Sequence, residues 1–138
     1  MPVMGKTRRE EFLAGLHVGV IGIARPEGPP LLVPVWYQYE PGGEVRVQTA
    51  ADSVKYRLVD AARTFSLVAR NETPPYRYVS VSGPVVAIEP ETPQRDVELM
   101  AHRYLDDAGV ADYLEQFKDV PVVTLHMRPL HWYSVDFG

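Results

Sequence analysis

Two periodicities divide the chain. EVRVQT (44–49) alternates apolar and polar residues strictly, as a half-buried strand does, and HVGVIGIA (17–24) is a β-branched, glycine-containing run of strand type. LLVPVWYQY (31–39) reads as a strand with Pro34 inside it. Proline cannot donate to a ladder, so this run lies at an edge, is bulged or opens locally. TFSLVAR (64–70) is a further strand. In YRYVSVSGPVVAIE (76–89), Tyr76, Tyr78, Ser80 and Ser82 share one face and Val79 and Val81 the other, with a bend or bulge at Gly83-Pro84. VPVVTLHM (120–127) and HWYSVDF (131–137) read as the last strands. RPEGPP, EPGG and NETPP are turns, and the first three strands form an antiparallel meander.

Helical spacing appears in four places. TRRE (Thr7–Glu10) has the form of a capping box ahead of Phe12, Leu13 and Leu16. Asp52 is placed to cap a helix over 53–62 carrying Val54, Leu58, Ala61 and Ala62. Thr92 is placed to cap a helix with Pro93 at its first position and an apolar stripe of Val97, Met100, Ala101, Tyr104 and Leu105. VADYLEQF (110–117) adds a short one. Six or seven short antiparallel strands with three or four helices predict a mainly β (α+β) chain closing into a small barrel, since closure removes exposed edges.

The totals narrow the chemistry. A length of 138 residues suits a single domain over 1–138, and 46% hydrophobic with 23% charged residues is ordinary globular composition. A net charge of −4 argues against nucleic-acid binding. There is no cysteine, which excludes disulfides, thiolate metal sites and cysteine nucleophiles. No leader-like apolar run or membrane-spanning stretch is present, so a cytoplasmic location and no membrane partner are expected. His17, His102, His126 and His131 show no ligand spacing, so no metal is expected. Neither a phosphate-binding loop, a dinucleotide glycine motif nor a G-x-S-x-G elbow occurs.

One local feature asks for a ligand. In QTAADSVKYR, Lys55 and Arg57 fall in the first turns of a helix, where the dipole disfavours cations by roughly 0.3–1 kcal/mol each. A bound anion would reverse that sign. Backbone N–H groups at the helix start, Lys55, and the hydroxyls of Thr49 and Ser53 together form a candidate phosphate site. Arg57, two residues from Lys55, faces elsewhere on an ideal helix.

LLVPVWYQYEPGGEVRVQTAADSVKYRLVDAARTFSLVAR followed by PYRYVSVSGPVVAIE resembles the pyridoxamine 5′-phosphate oxidase-like, FMN-binding split-barrel superfamily, and is most similar to its small actinobacterial members that use FMN or the deazaflavin coenzyme F-420. The resemblance runs over nearly the whole chain and rests on P-V-W-Y, on the strand–helix link ending in K-x-R, and on P-Y-R-Y before a valine-rich strand. It implies a six-stranded antiparallel split β-barrel with peripheral helices, acting as a homodimer with the cofactor between subunits. It places Pro34, Val35, Trp36 and Tyr37 along the ring system, Gln48 and Thr49 along the ribityl chain, and Ser53, Lys55 and Arg57 at the phosphate. Many relatives carry a basic residue at the position of Ser53 and an asparagine at that of Leu58.

The resulting expectation is an oxidoreductase passing hydride from reduced coenzyme F-420, or from FMN, to a small unsaturated or carbonyl-containing substrate. Tyr37 and Tyr78 are the candidate proton donors. The alternative is a non-catalytic FMN or haem carrier of the same fold. Trp36, Tyr37 and Trp132 are expected on an outer face that a second subunit covers.

Overall fold

The computed structural model describes residues 2–138. Its elements are α1 (Lys6–Ala14), β1 (Gly19–Ile23), β2 (Leu31–Val35), β3 (Tyr37–Gln38), β4 (Val45–Ala50), α2 (Val54–Ala62), β5 (Thr64–Arg70), β6 (Arg77–Glu89), α3 (Gln94–Tyr104), α4 (Asp107–Phe117), β7 (Val122–Met127) and β8 (His131–Asp136). The strands are antiparallel in the order β2-β1-β5-β6-β7-β4-β3, with β8 also on β6. The two ends of this path, β2 and β3, are consecutive in the chain and separated by Trp36 alone. The sheet therefore curls until its edges meet at one residue. The strand count is eight rather than the six the resemblance implied, because the run 31–39 breaks at Trp36 and β8 pairs with β6.

Pro34 is explained by this break. It lies on β2, in register with Val20 of β1, and β2 has only β1 as a neighbour, which is the edge position where a residue that cannot donate to a ladder is tolerated. The long strand β6 is the other hinge of the curl. Its first part pairs with β5 and β8, and beyond Val85 it pairs with β7 across a bulge between Val85 and Ala87. β7 and β8 lie end to end along it, joined through 128–130. That crossing needs Gly83, where an added Cβ would collide with the Arg128 carbonyl oxygen.

The strict alternation of β4 survives in the structure. Val45, Val47 and Thr49 are buried, and Arg46, Gln48 and Ala50 are half-buried on its other side. With Ile21, Ile23, Leu67, Val79, Val81, Leu125 and Met127, all at 1% exposure or less, the valines fill the barrel. Full burial of such side chains contributes roughly 1.5–3 kcal/mol each.

Three helix starts differ from the sequence reading. The Thr7–Glu10 box does not form: α1 is capped by Gly5 without a side-chain bond. The Glu10 carboxylate instead accepts from the Tyr39 hydroxyl at 2.9 Å and the Gly42 N–H at 3.1 Å. At α2 the cap is Ser53, one residue after Asp52, with its Oγ accepting the Tyr56 N–H at 3.1 Å. Thr92 does not cap α3; Pro93 occupies that position, and the Thr92 hydroxyl pairs with that of Thr124 at 2.6 Å. Among the described residues, no helix is long and apolar enough to cross a membrane.

Candidate functional site

A broken strand leaves backbone groups to be satisfied elsewhere. Where β2 gives way to β3, the C-terminal end of α3 supplies the partners. The Tyr104 hydroxyl donates to the His17 carbonyl at 2.6 Å, lies 3.0 Å from the Tyr37 carbonyl and accepts the Tyr37 N–H at 3.1 Å. The Arg103 guanidinium donates to the carbonyls of Gly15 at 2.8 Å, Ala14 at 3.2 Å and Tyr37 at 3.3 Å. It thus also satisfies the end of α1. The Tyr104 ring stacks on Trp36 at 5.1 Å with 5° between planes, and Tyr113 of α4 packs on Trp36 at 5.1 Å. Two helices therefore brace the break from outside the barrel.

Beside that brace runs a groove of two hollows. One, of about 240 Å³, lies against the β2–β3 break and is lined by Pro34, Val35, Trp36, Val18, Met100 and the shared residues Gln48, Lys55 and Tyr113. The second, of about 420 Å³, lies between the start of α2 and the α3–α4 pair; it also includes Thr49 and Ser53. Of the nine residues assigned to a cofactor from the sequence, the groove gathers Pro34, Val35, Trp36, Gln48, Thr49, Ser53 and Lys55, and leaves out Tyr37 and Arg57.

Tyr37 fails for a clear reason. Its side chain is fully buried in the barrel, and its hydroxyl donates to the Leu13 carbonyl at 2.6 Å. Burial holds its pKa well above the usual phenol value, and the Tyr104 hydroxyl nearby pushes the same way. It is neither a proton donor to the groove nor a face for a ring. Tyr78 lines neither hollow; it stacks on Tyr133 of β8, with ring centroids 6.0 Å apart. Arg57 is exposed and lines neither hollow. Trp36 already packs against two tyrosine rings, so it bounds the groove as part of an aromatic wall. Trp132, expected on an outer face, is half-buried: it packs against the core and lies under the Arg9 guanidinium at 4.5 Å.

The electrostatics at the start of α2 suit one anion. Lys55 is the sole cation lining either hollow among the described residues, and Glu91 the sole carboxylate. The first N–H groups of α2, at Val54 and Lys55, have no intrahelical partner by geometry. The hydroxyls of Thr49 and Ser53 lie 2.9 Å apart and share one hydrogen bond, which leaves one O–H to donate. This donor set, beside an apolar hollow at Pro34, Val35 and Met100, fits a planar ring carrying a single phosphate arm.

The α3–α4 contribution was not read from the sequence. Tyr113 and Phe117, four apart on α4 with ring centroids 4.8 Å apart, form the outer wall. Their i, i+4 spacing was the available signal. Arg103 and Tyr104 carried none, since their partners are backbone carbonyls 66 to 89 residues away. The histidines stay outside the groove. His17 bonds the Phe12 carbonyl at 3.0 Å, His126 lies between Glu44 at 3.2 Å and Glu89 at 2.6 Å, and His102 and His131 are exposed. No histidine therefore lines either hollow.

No family model and no curated protein matches this chain. Solved structures do. A protein described as an F420 reductase is 25% identical, with a TM-score of 0.72 over 90% of this chain and 94% of its own. A conserved hypothetical protein from Mycobacterium tuberculosis is 21% identical, with a TM-score of 0.73 over 99% of this chain and 87% of its own. An FAD-binding protein from Mesorhizobium loti is 16% identical, with a TM-score of 0.65 over 96% and 93%. A putative pyridoxamine 5′-phosphate oxidase from Listeria innocua, 11% identical, has a TM-score of 0.67 over 94% and 97%, so the curled antiparallel sheet with peripheral helices is the pyridoxamine 5′-phosphate oxidase-like split-barrel fold.

Proposed function

We propose that this protein is an oxidoreductase of the flavin and deazaflavin type, with coenzyme F-420 as first choice and FMN as the alternative. The observation that carries the reading is the groove itself: it joins the β2–β3 break to the cation-bearing start of α2. The similarity to an F420 reductase over 90% of the chain favours the deazaflavin. When bound, such a group supplies a hydride, two electrons with one proton, to a small unsaturated or carbonyl-containing acceptor.

The chain's own residues then have distinct tasks. Pro34, Val35 and Met100 offer an apolar surface to the ring, Gln48 and Thr49 flank its arm, and Lys55 with the α2 N–H groups holds the phosphate. Tyr113 and Trp36 shield the groove from water. With Tyr37 and Tyr78 both away from the groove, the second proton of the reduction is left to water or to Tyr113, the tyrosine that lines both hollows.

The working unit in this reading is a two-fold homodimer. Its support is not the tryptophans but an exposed patch formed by Tyr76, Tyr133 and Phe137, at 52%, 59% and 55% exposure, with Tyr78 stacked beside them. Sedimentation should give a dimer mass that Tyr133→Asp reduces to a monomer.

The direct test is a titration of purified protein with F-420 and with FMN, followed by turnover of the reduced cofactor against enones and quinones. Saturable binding with turnover supports the reading. Binding without turnover of any acceptor moves it to a non-catalytic carrier. No binding of either cofactor removes it.

A further inference from the structure

We infer that the larger hollow, beneath α4, is a chamber for an uncharged, apolar small molecule. The inference deepens the reading above, giving the acceptor its own seat beside the cofactor.

Val97, Tyr113, Leu114, Phe117, Val120 and Val122 line the hollow from α3, α4, the turn after α4 and the start of β7. At about 420 Å³ it falls within the usual range of small-molecule sites, which are mostly apolar with a few polar groups. Several of its polar atoms are already paired. The Gln48 amide donates to the Asp96 carbonyl at 3.1 Å. The Thr92 hydroxyl is paired with that of Thr124. The Ser53 oxygen is engaged by Thr49 and by the Tyr56 N–H. Free donors remain at the α2 start, where the phosphate is placed; in the α4 half of the hollow a polar ligand would lose water and find few side-chain partners, at a cost of roughly 1–3 kcal/mol per unmade bond. An apolar one loses nothing comparable.

Gln48, Lys55 and Tyr113 line both hollows, so the chamber is continuous with the groove rather than set on a separate face. The charges also divide the space. Lys55 stands at the α2 end, where the phosphate is placed, and Glu91 stands among the chamber's lining, where it disfavours a second anion.

The test uses N-phenyl-1-naphthylamine, an uncharged apolar dye that fluoresces when removed from water. One dye per chain should bind saturably. Leu114→Trp and Val120→Phe, which fill the chamber, should each weaken it by roughly tenfold or more, as loss of most of a small ligand's buried contact area predicts. Arg57→Ala, outside the groove, should not. F-420 or FMN affinity should stay within about twofold in the filled variants, since the ring end is untouched. If Leu114→Trp does not fold, Val120→Phe carries the comparison, with a melting curve to show that it is native. Unsaturable dye, or equal affinity in a folded filled variant, overturns the chamber. One-for-one displacement of dye by cofactor also overturns it, because the hollow then belongs to the cofactor. If neither cofactor binds while the filled variants still exclude dye, the chamber stands and the cofactor assignment falls.

Discussion

Strand β4 borders two regions with opposite chemistry. On one side Val45 and Val47 enter a barrel core with no exposure, among Leu67, Leu125 and Met127. On the other, Gln48 and the helix start that follows face a groove with one lysine, one glutamate and an aromatic wall. The core is closed by packing alone. The groove lies where α3 and α4 meet the sheet, through Tyr104, Arg103 and Tyr113 at the point where the strand breaks and through the Gln48–Asp96 hydrogen bond farther along β4. The contrast teaches that stability and binding are carried by different faces of the same strands, so substitutions should separate them.

The largest separation is expected in the core. Leu125→Ala should cost roughly 2–5 kcal/mol in urea unfolding, as large-to-small core changes do, while the folded fraction keeps its cofactor affinity. Tyr37→Phe comes next. It strands the Leu13 carbonyl and should cost about 1–3 kcal/mol with turnover unchanged. Lost turnover at unchanged stability would restore Tyr37 as a proton donor and break the division.

A pH effect sharpens it further. Burial is the main cause that lowers the His17 pKa from 6.5, against the hydrogen bond to Phe12. The unfolded chain therefore takes up the proton more readily, so stability falls as pH drops below about 6.5 and levels off below the folded-state pKa. His17→Gln should flatten that slope in pH-dependent melting, without altering cofactor binding. The smallest effect is predicted for Arg57→Ala, within about 0.5 kcal/mol in stability and with cofactor affinity nearly unchanged. A large loss would mean that Arg57 reaches the ligand across a subunit boundary.

Much of this contrast is legible in the sequence. The alternation of EVRVQT gave β4 nearly to the residue, and the cation at the start of α2 marked the groove. The error at Tyr37 is instructive. Val35, Tyr37 and Tyr39 are two apart and all buried, so the inward face persists across the break at Trp36. The resemblance assigned P-V-W-Y as one block and obscured that parity. The cap of α2 was missed by one residue because Asp52 and Ser53 both suit the role, and Thr49, a turn away, lies beside Ser53. The Glu10 box failed for a similar reason: its partners, Tyr39 and Gly42, are far along the chain. The outer wall on α4 depends on long-range packing against Trp36, which no local pattern reveals.

The central claim is that the start of α2 holds the anionic arm of a flavin-type cofactor through Lys55. The most direct measurement is a cofactor titration of Lys55→Ala beside the parent protein, with a melting curve for each in the absence of ligand. A charge-assisted hydrogen bond is worth roughly 1.5–3 kcal/mol, so affinity should fall about 10- to 150-fold. The ligand-free melting temperature should hold or rise slightly, since a cation leaves a helix N-terminus. Unchanged affinity in the variant, or a collapse of its ligand-free stability, would contradict the account.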